Sequence, residues 1–302
     1  MFTSDHYELL DYGNGRRLER FGTWILDREC PIADRMSQDD SAPWHNAHTK
    51  FQREQADQGI WRDAVEQFPD RWTIQHGPST FELKRTQFGH LGIFPEQAAN
   101  WDWITTFVKK ASRPFRVLNL FAYTGGSTLA AAWGGAEVTH VDSAKNVVAW
   151  ARRNAELSGL ADAPIRWIAE DAMKFVKREV KRGRRYDAVI LDPPSYGHGT
   201  KGEVWRLSKH LPQLMSFCAE LTSTKPSTQD SVDREHPLNI PSGHSEQFVL
   251  LTCHTPGFDC PALEELLRET MSPGRIESER ISISTLKGRR LPSGFMARWM
   301  RS

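Results

Sequence analysis

The sequence predicts an α/β protein: a mostly parallel, doubly wound sheet over residues 91–302, preceded by a small β-rich domain over residues 1–90. Three observations lead to that reading. From about residue 96 onward, apolar runs of strand type alternate with amphipathic helical stretches, the order that builds a parallel sheet. Before residue 90 the chain holds only short aromatic and branched segments separated by Gly, Pro, Asn and Asp, the texture of β structure without long helices. Successive apolar runs of the second part end in glycines or in an acid, and ligands bind beyond the carboxyl ends of such strands.

In the first part, "YELLDYG", "RLERFGTWILDR", "GIWRDA", "RWTIQHG" and "TFELKRTQFG" read as strands and hairpins. The polar stretch 33–57 reads as loop. In the second part "QAANWDWITTFVKKAS" is a helix and "RVLNLFAY" a strand. "GGSTLAAAWGG" is a short helix that ends in glycines, as helix C-caps prefer. "AEVTHVD" is the next strand, and "SAKNVVAWARRNAELSGL" a helix with Ser143 as its N-cap and Gly159 as its stop. "IRWIAED", the basic helix "AMKFVKREVKR" and the strand "YDAVILD" follow. "EVWRLSKHLPQLMSFCAELTS" reads as one helix. Residues 223–246 are too poor in apolar side chains to order themselves and read as a flexible insertion. "QFVLLTC" resumes as a strand, "CPALEELLRETM" as a helix, and "RIESERISIST" with "GFMARWM" can close the sheet.

Apolar residues make up 39% and charged residues 25% of the 302, ordinary values for a globular protein. No apolar run approaches the length of a bilayer span, so no membrane partner is expected. The opening "MFTSDHYELLDYGNGRR" is polar where a signal peptide would be apolar. Cys30, Cys218, Cys253 and Cys260 show no CxxC or Cys/His spacing, which signals neither a disulfide framework nor a metal site and fits a reduced, cytoplasmic setting. The net charge of +1 neither demands nor excludes nucleic acid, and nothing specifies an oligomeric state. Basic residues do gather in one place: Lys174, Lys177, Arg178, Lys181, Arg182 and Arg185 recur at spacings that put them on one helix face. That face is either the solvated side of an amphipathic helix or a phosphate-attracting stripe.

The chemistry gathers at four strand ends. The first strand runs into "FAYTGGS", whose glycines let the main chain approach a ligand closely. The second ends in Asp142, a carboxylate placed to accept both hydroxyls of a ribose. The third ends in Asp171, which can hydrogen-bond an adenine amino group or simply cap the next helix. The fourth ends in "LDPPSYG", an acid followed by two rigid residues and an aromatic ring. The glycine turn lacks the GxGxxG spacing that seats a pyrophosphate, which disfavours a nicotinamide oxidoreductase and favours a nucleoside without one.

These motifs resemble the class I S-adenosylmethionine-dependent methyltransferases, and within them the bacterial large-subunit ribosomal RNA base methyltransferases and their relatives. The resemblance covers about residues 84–300 and rests on "VLNLFAYTGGSTLAAAWGGAEVTHVDSAKNVVAWARRNAELSGL", "EDAMKFV" and "YDAVILDPPSYG". It implies a Rossmann-like fold with a central, mostly parallel seven-stranded sheet and helices on both faces, and S-adenosyl-L-methionine as cofactor. It assigns Ala122, Tyr123, Thr124, Gly125 and Gly126 to the methionine portion, Asp142 to the ribose, and Asp171 with Ala172 to the adenine, with Ser143 also counted among the cofactor-binding residues. "GIFPEQAANW" is similar to a family segment that closes over the cofactor and usually reads Phe-Leu-Asp-Gln-Arg. Glu96 stands here for the Asp and Ala98 for the Arg, so Phe94 and Gln97 are the positions carried over. The N-terminal β-rich domain would help to hold RNA.

Methyl transfer from a sulfonium needs little acid–base power and much positioning. That is the role open to Asp192, Pro193, Pro194 and Tyr196: the prolines fix the strand tip, Asp192 accepts a hydrogen bond from a base nitrogen, and Tyr196 stacks on the base. Relatives that methylate a cytosine carbon use a cysteine after the fifth strand. In the corresponding "LLTCHTPG", Cys253 lies two positions early and Thr255 takes the expected place. Cys253 is a candidate nucleophile if its thiol is exposed and activated; a nitrogen acceptor needs none. His254 could act as a base, but neighbours on a strand point to opposite faces. The expected activity is methylation of an RNA base, ribosomal RNA foremost. A protein or small-molecule methyltransferase, and a non-catalytic RNA-binding or assembly protein that keeps the fold, remain as alternatives.

Overall fold

The computed structural model describes residues 2–39, 41–55, 58–198, 202, 204–223 and 246–301. The insertion expected at 223–246 lies almost wholly outside them. The chain divides into two compact units, and the division is not a single cut near residue 90. The first unit takes in Met1–Trp103, Trp150–Asp162 and Ile281–Ser293; the second takes in Ile104–Ala149, Ala163–Arg280 and Gly294–Ser302.

In the first unit, β1 (Tyr7–Gly13), β2 (Arg16–Phe21), β3 (Trp24–Glu29), β4 (Thr49–Arg53) and β5 (Gly59–Asp63) form one sheet in sequence order. Asn14 and Gly15 join β1 to β2 with φ of 52° and 72°, the two-residue Asn-Gly turn whose twist matches a hairpin. β4 falls inside the polar stretch expected to be loop. Only Thr49 and Phe51 of its five residues are buried, and that short alternation suffices because β3 and β5 flank it. β6 (Arg71–His76) and β7 (Ser79–Lys84) make a separate hairpin. Glu19 is fully buried, yet satisfied: it accepts from Arg28 Nε at 2.8 Å and from the Tyr7 hydroxyl at 3.0 Å.

After α1 (Ala98–Lys109) the alternation expected from the sequence follows: β8 (Arg116–Leu120), α2 (Gly126–Trp133), β9 (Glu137–Asp142), α3 (Lys145–Leu157), β10 (Ile165–Ala169), α4 (Ala172–Lys181) and β11 (Ala188–Leu191). Next come β12 (Tyr196–His198), β13 (Val204–Arg206), α5 (Leu207–Leu221), β14 (Gln247–Cys253), α6 (Cys260–Thr270), β15 (Arg275–Ser284) and β16 (Arg290–Arg301). Seven strands form one sheet in the order β10-β9-β8-β11-β14-β16-β15. The pairings from β10 to β14 are parallel, and β16 runs antiparallel to β14. All four residues of β11 and all seven of β14 are buried, as central strands covered on both faces require. Leu118, Leu120, Val189, Leu191, Val249 and Leu251 share one core with Phe175 and Val176 of α4 and Leu211, Leu214 and Met215 of α5. Each such buried side chain contributes about 1.5–3 kcal/mol.

Two further differences from the sequence reading matter for the site. Residues 204–206, expected to begin a helix, are β13, which pairs antiparallel with β12. The reason is side-chain packing that no local pattern reveals: Trp205 turns inward and its indole N–H donates to the Pro194 carbonyl at 2.7 Å. On α4, Arg178 pairs with Glu170 at 2.6 Å and Arg182 with the buried Glu179 at 3.3 Å, whereas Lys174, Lys177 and Lys181 are exposed. No helix among the described residues is long and apolar enough to cross a membrane.

Candidate functional site

The strand order reverses between β8 and β11: the chain leaves β8 toward β9 and β10, and leaves β11 toward β14. In open α/β sheets ligands bind at such a switch point, beyond the carboxyl ends of the strands. The register fixes what stands there. Leu120 pairs with Val141 on one side and Leu191 on the other, and Leu191 pairs with Leu251. Phe121, Asp142, Asp192 and Thr252 therefore fall at one level at the carboxyl ends of neighbouring strands, which lie about 4.8 Å apart.

The β8 tip is backbone under strain. Phe121 and Tyr123 have φ of 53° and 47°, left-handed values that cost a non-glycine residue roughly 1–3 kcal/mol each. Gly125 follows at φ 92°, where a glycine is at ease. Three hydrogen bonds impose the shape. Ala122 N–H donates to the Val141 carbonyl at 3.1 Å, and Gly125 N–H to the Ala122 carbonyl at 3.0 Å. Tyr123 N–H donates to Asp142 Oδ2 at 3.0 Å. Ala122 and Thr124 are buried, and Gly126 opens α2.

Asp142 is half-buried and ties this turn to the start of α3, since Oδ1 accepts the Ala144 N–H at 3.0 Å. Burial pushes its carboxyl above the usual range, against the backbone N–H groups of Ala144, Tyr123 and Ser143 that favour its charge. A half-buried carboxylate with this balance is suited to further donors such as ribose hydroxyls, which fits the nucleoside reading. Below α2, Asn119 Nδ2 donates to Thr128 Oγ1 at 2.9 Å, and Thr128 meets His140 Nδ1 at 2.9 Å. Burial lowers the pKa of His140 to about 3, so this imidazole is a neutral structural prop.

Asp171 is the N-cap of α4, its Oδ1 accepting the Lys174 N–H at 2.9 Å. No partner of Oδ2 is seen among the described residues, and Ala172 is buried beside it. Phe94 and Gln97 lie in the first unit, around the short turn Pro95–Gln97. Gln97 is buried and its Oε1 accepts from Asn100 Nδ2 at 2.8 Å, while the Phe94 ring lies 5.4 Å from that of His90.

The β11 tip is built from side chains. Asp192 Oδ1 accepts from Thr252 Oγ1 at 2.6 Å and lies 3.3 Å from His254 Nε2. Partial burial would raise its pKa, but the hydrogen bond and charge of His254 and the Thr252 hydroxyl hold its carboxyl below the usual range. The Ser195 and Thr255 hydroxyls meet at 2.6 Å, a second tie between the β11 and β14 tips. Pro193 and Pro194 fix their own φ, and the Trp205 indole N–H holds the Pro194 carbonyl, which restricts the segment. Tyr196 is 52% exposed beyond it.

Cys253 is fully buried on β14, and desolvation raises its thiol pKa. That is the opposite of the exposed, activated thiolate that covalent catalysis requires, so the candidate nucleophile is a packing residue. His254, set aside on strand alternation, is the residue the sequence underrated. β14 ends at Cys253, so alternation no longer governs position 254. Gly294 gives the imidazole its place: at φ 128°, a Cβ there would stand 2.6 Å from His254 Nδ1. Among the described residues no group of three or more His, Cys, Asp or Glu is placed to hold a metal ion.

Comparison with known proteins agrees with this geometry. A family profile described as S-adenosylmethionine-dependent methyltransferase matches residues 52–230. The crystal structure of an S-adenosylmethionine-dependent methyltransferase from Agrobacterium tumefaciens is 37% identical, covers 97% of this chain and 89% of its own, and superposes with a TM-score of 0.85. Ribosomal RNA large subunit methyltransferase K/L of Shewanella baltica is 32% identical over 43% of this chain and 18% of its own length. Ribosomal RNA large subunit methyltransferase I of Aeromonas salmonicida is 40% identical over 30% of this chain and 23% of its own. The chain thus spans about a fifth of the length of these two relatives.

Proposed function

Because the chain belongs to the S-adenosylmethionine-dependent methyltransferase family, we propose that it transfers the methyl group of S-adenosylmethionine to a base in RNA, ribosomal RNA foremost. The observation that carries this reading is the junction of two unlike strand tips at the switch point. On this reading the strained β8 turn with Asp142 would face the cofactor, and the Asp192–Thr252–His254 set at the ends of β11 and β14 would face the acceptor.

Bound S-adenosylmethionine supplies an electrophilic methyl group on a sulfonium. The strained Phe121–Gly125 turn offers main-chain groups to its methionine portion, Asp142 accepts from the ribose hydroxyls, and Asp171 Oδ2 from the adenine amine. On the other side Asp192 accepts an N–H of the acceptor base and so aims the lone pair at the methyl carbon. Its lowered pKa makes it a weak base, which suits orientation more than proton removal. His254, beside it and half-exposed, can carry the proton that the methylated nitrogen sheds to water. Pro193 and Pro194 keep this geometry without reorganisation, the kind of positioning that yields effective molarities of about 10⁵–10⁸ M. The buried Cys253 favours a nitrogen acceptor over attack at a cytosine carbon. The names of the two ribosomal RNA methyltransferases lend support to the substrate class.

Mass spectrometry of nucleosides from cells with and without the protein tests this reading. One methylated base in ribosomal RNA should disappear with the gene and return with the wild-type chain. An unchanged RNA profile contradicts an RNA substrate and shifts the acceptor to a protein or a small molecule.

A further inference from the structure

We propose that the β12–β13 hairpin of the second unit is a grip for single-stranded RNA next to the methylated base, with Tyr196 as a stacking surface and Arg206 and Lys209 as phosphate contacts. This rests on the RNA reading above and adds a place where the substrate is held. Register carries the argument. Tyr196 pairs with Arg206 and Gly197 with Trp205 across the two strands. Directly paired residues project to one face and their neighbours to the other.

The inner face is an anchor. Trp205 is buried, bonded to the Pro194 carbonyl at 2.7 Å, with its ring 4.9 Å from that of Phe121. The hairpin is therefore fastened to both strand tips of the site. The outer face is chemically unlike it. Tyr196 is 52% and Val204 42% exposed, and Arg206 and Lys209 are exposed beside them. Backbone N–H of Arg206 donates to His210 Nδ1 at 2.9 Å, which fixes the start of α5 and so the position of Lys209 one turn on.

Charge decides the kind of partner. Some cations of this unit are neutralised, as Arg178 is by Glu170 and Arg268 by Glu264 at 2.7 Å, and others, such as Lys174, Lys177 and Lys181, are exposed on α4; what sets Arg206 apart is its direct pairing with the exposed Tyr196. Arg206 and Lys209 have no ion pair among the described residues. An exposed ring opposite a guanidinium offers a base a stacking face and its phosphate a counter-charge, which a single strand with splayed bases can use. A paired helix cannot present its bases in this way.

Fluorescence anisotropy with a labelled mixed-sequence single-stranded RNA 12-mer, over a series of KCl concentrations, tests the proposal. R206Q/K209Q should lower the slope of log affinity against log salt by about 1.4, two phosphates at about 0.7 each. Tyr196→Ala should weaken binding about 5- to 150-fold, and Tyr196→Phe by no more than about twofold, because the stacking ring remains. K109Q/K110Q, at the amino-terminal approach to β8, serves as a control for loss of charge alone and should change affinity by less than about twofold. Melting temperatures show that each variant is folded. If the wild type binds and the hairpin variants bind equally well, the hairpin is not the grip while the RNA reading stands. If the wild type binds S-adenosylhomocysteine but no RNA at 100-fold molar excess or any salt, both fall together.

Discussion

The proposed donor and acceptor halves of the site stand on neighbouring strands and are built by opposite means. At β8 and β9 the shape is written in the main chain: two non-glycine residues at positive φ, held by three hydrogen bonds that each involve a backbone N–H. At β11 and β14 it is written in side chains, with Asp192, Thr252, His254, Ser195 and Thr255 tied across two strand tips. The difference teaches how one fold keeps its cofactor while changing acceptors. A strained turn fastened to its neighbours tolerates little substitution, whereas a set of polar side chains can be exchanged one residue at a time.

Breaking the acceptor half alone should give the largest effect. Asp192→Ala removes the group that aims the acceptor nitrogen and should lower methyl transfer about 100-fold or more in a radiolabelled-methyl assay. The halves should also separate with pH. His140, under the donor turn, has a folded pKa of about 3 against about 6.5 unfolded, so the unfolded state takes up the proton first. Its contribution to stability is complete above about pH 6.5 and is lost as pH falls toward 3, by about 1.4 kcal/mol per unit. Thermal melts between pH 7.5 and 5 should show that decline, and His140→Asn should reduce it, the remainder belonging to groups such as His90, whose pKa burial lowers to about 4. Asp192 has a lowered pKa, so its carboxylate keeps its charge throughout that window.

A smaller effect is expected from crowding His254 without touching Asp192. Gly294→Ala puts a Cβ against the imidazole at a backbone conformation that disfavours alanine, and should reduce methyl transfer about tenfold. Smallest of all is Cys253→Ala. A buried packing thiol should cost about 1–2 kcal/mol of stability and less than about threefold in methyl transfer, whereas a nucleophile would be lost entirely.

Much of the donor half was legible in the sequence. Strand periodicity placed Asp142 and the glycine turn, and the sheet order then set them side by side. The strain was not legible, because glycines advertise a turn while Phe121 and Tyr123 carry the unusual φ through hydrogen bonds to another strand. The acceptor half was legible up to Asp192 and the prolines. Beyond them, residues 204–206 have the local pattern of a helix start, and they form β13 because Trp205 obeys a carbonyl on the far side of the turn, not its sequence neighbours. His254 was turned away by an alternation that stops with the strand. β4 was hidden by polar residues for a related reason: an isolated stretch with two inward side chains pairs only because its neighbours are already there.

The separation of donor and acceptor halves is the central claim, and calorimetry with S-adenosylhomocysteine tests it most directly. The wild-type chain should bind with micromolar affinity or better, about 8 kcal/mol. Asp142→Ala should weaken that binding by about 1.5–3 kcal/mol, the value of a hydrogen bond to a charged group. The effect should begin to appear in the wild type itself as pH falls through the raised Asp142 pKa, because the ribose hydroxyls require the carboxylate. Asp192→Ala should leave binding within about twofold. Equal losses in the two variants, or no binding by the wild type at millimolar ligand, would contradict the account.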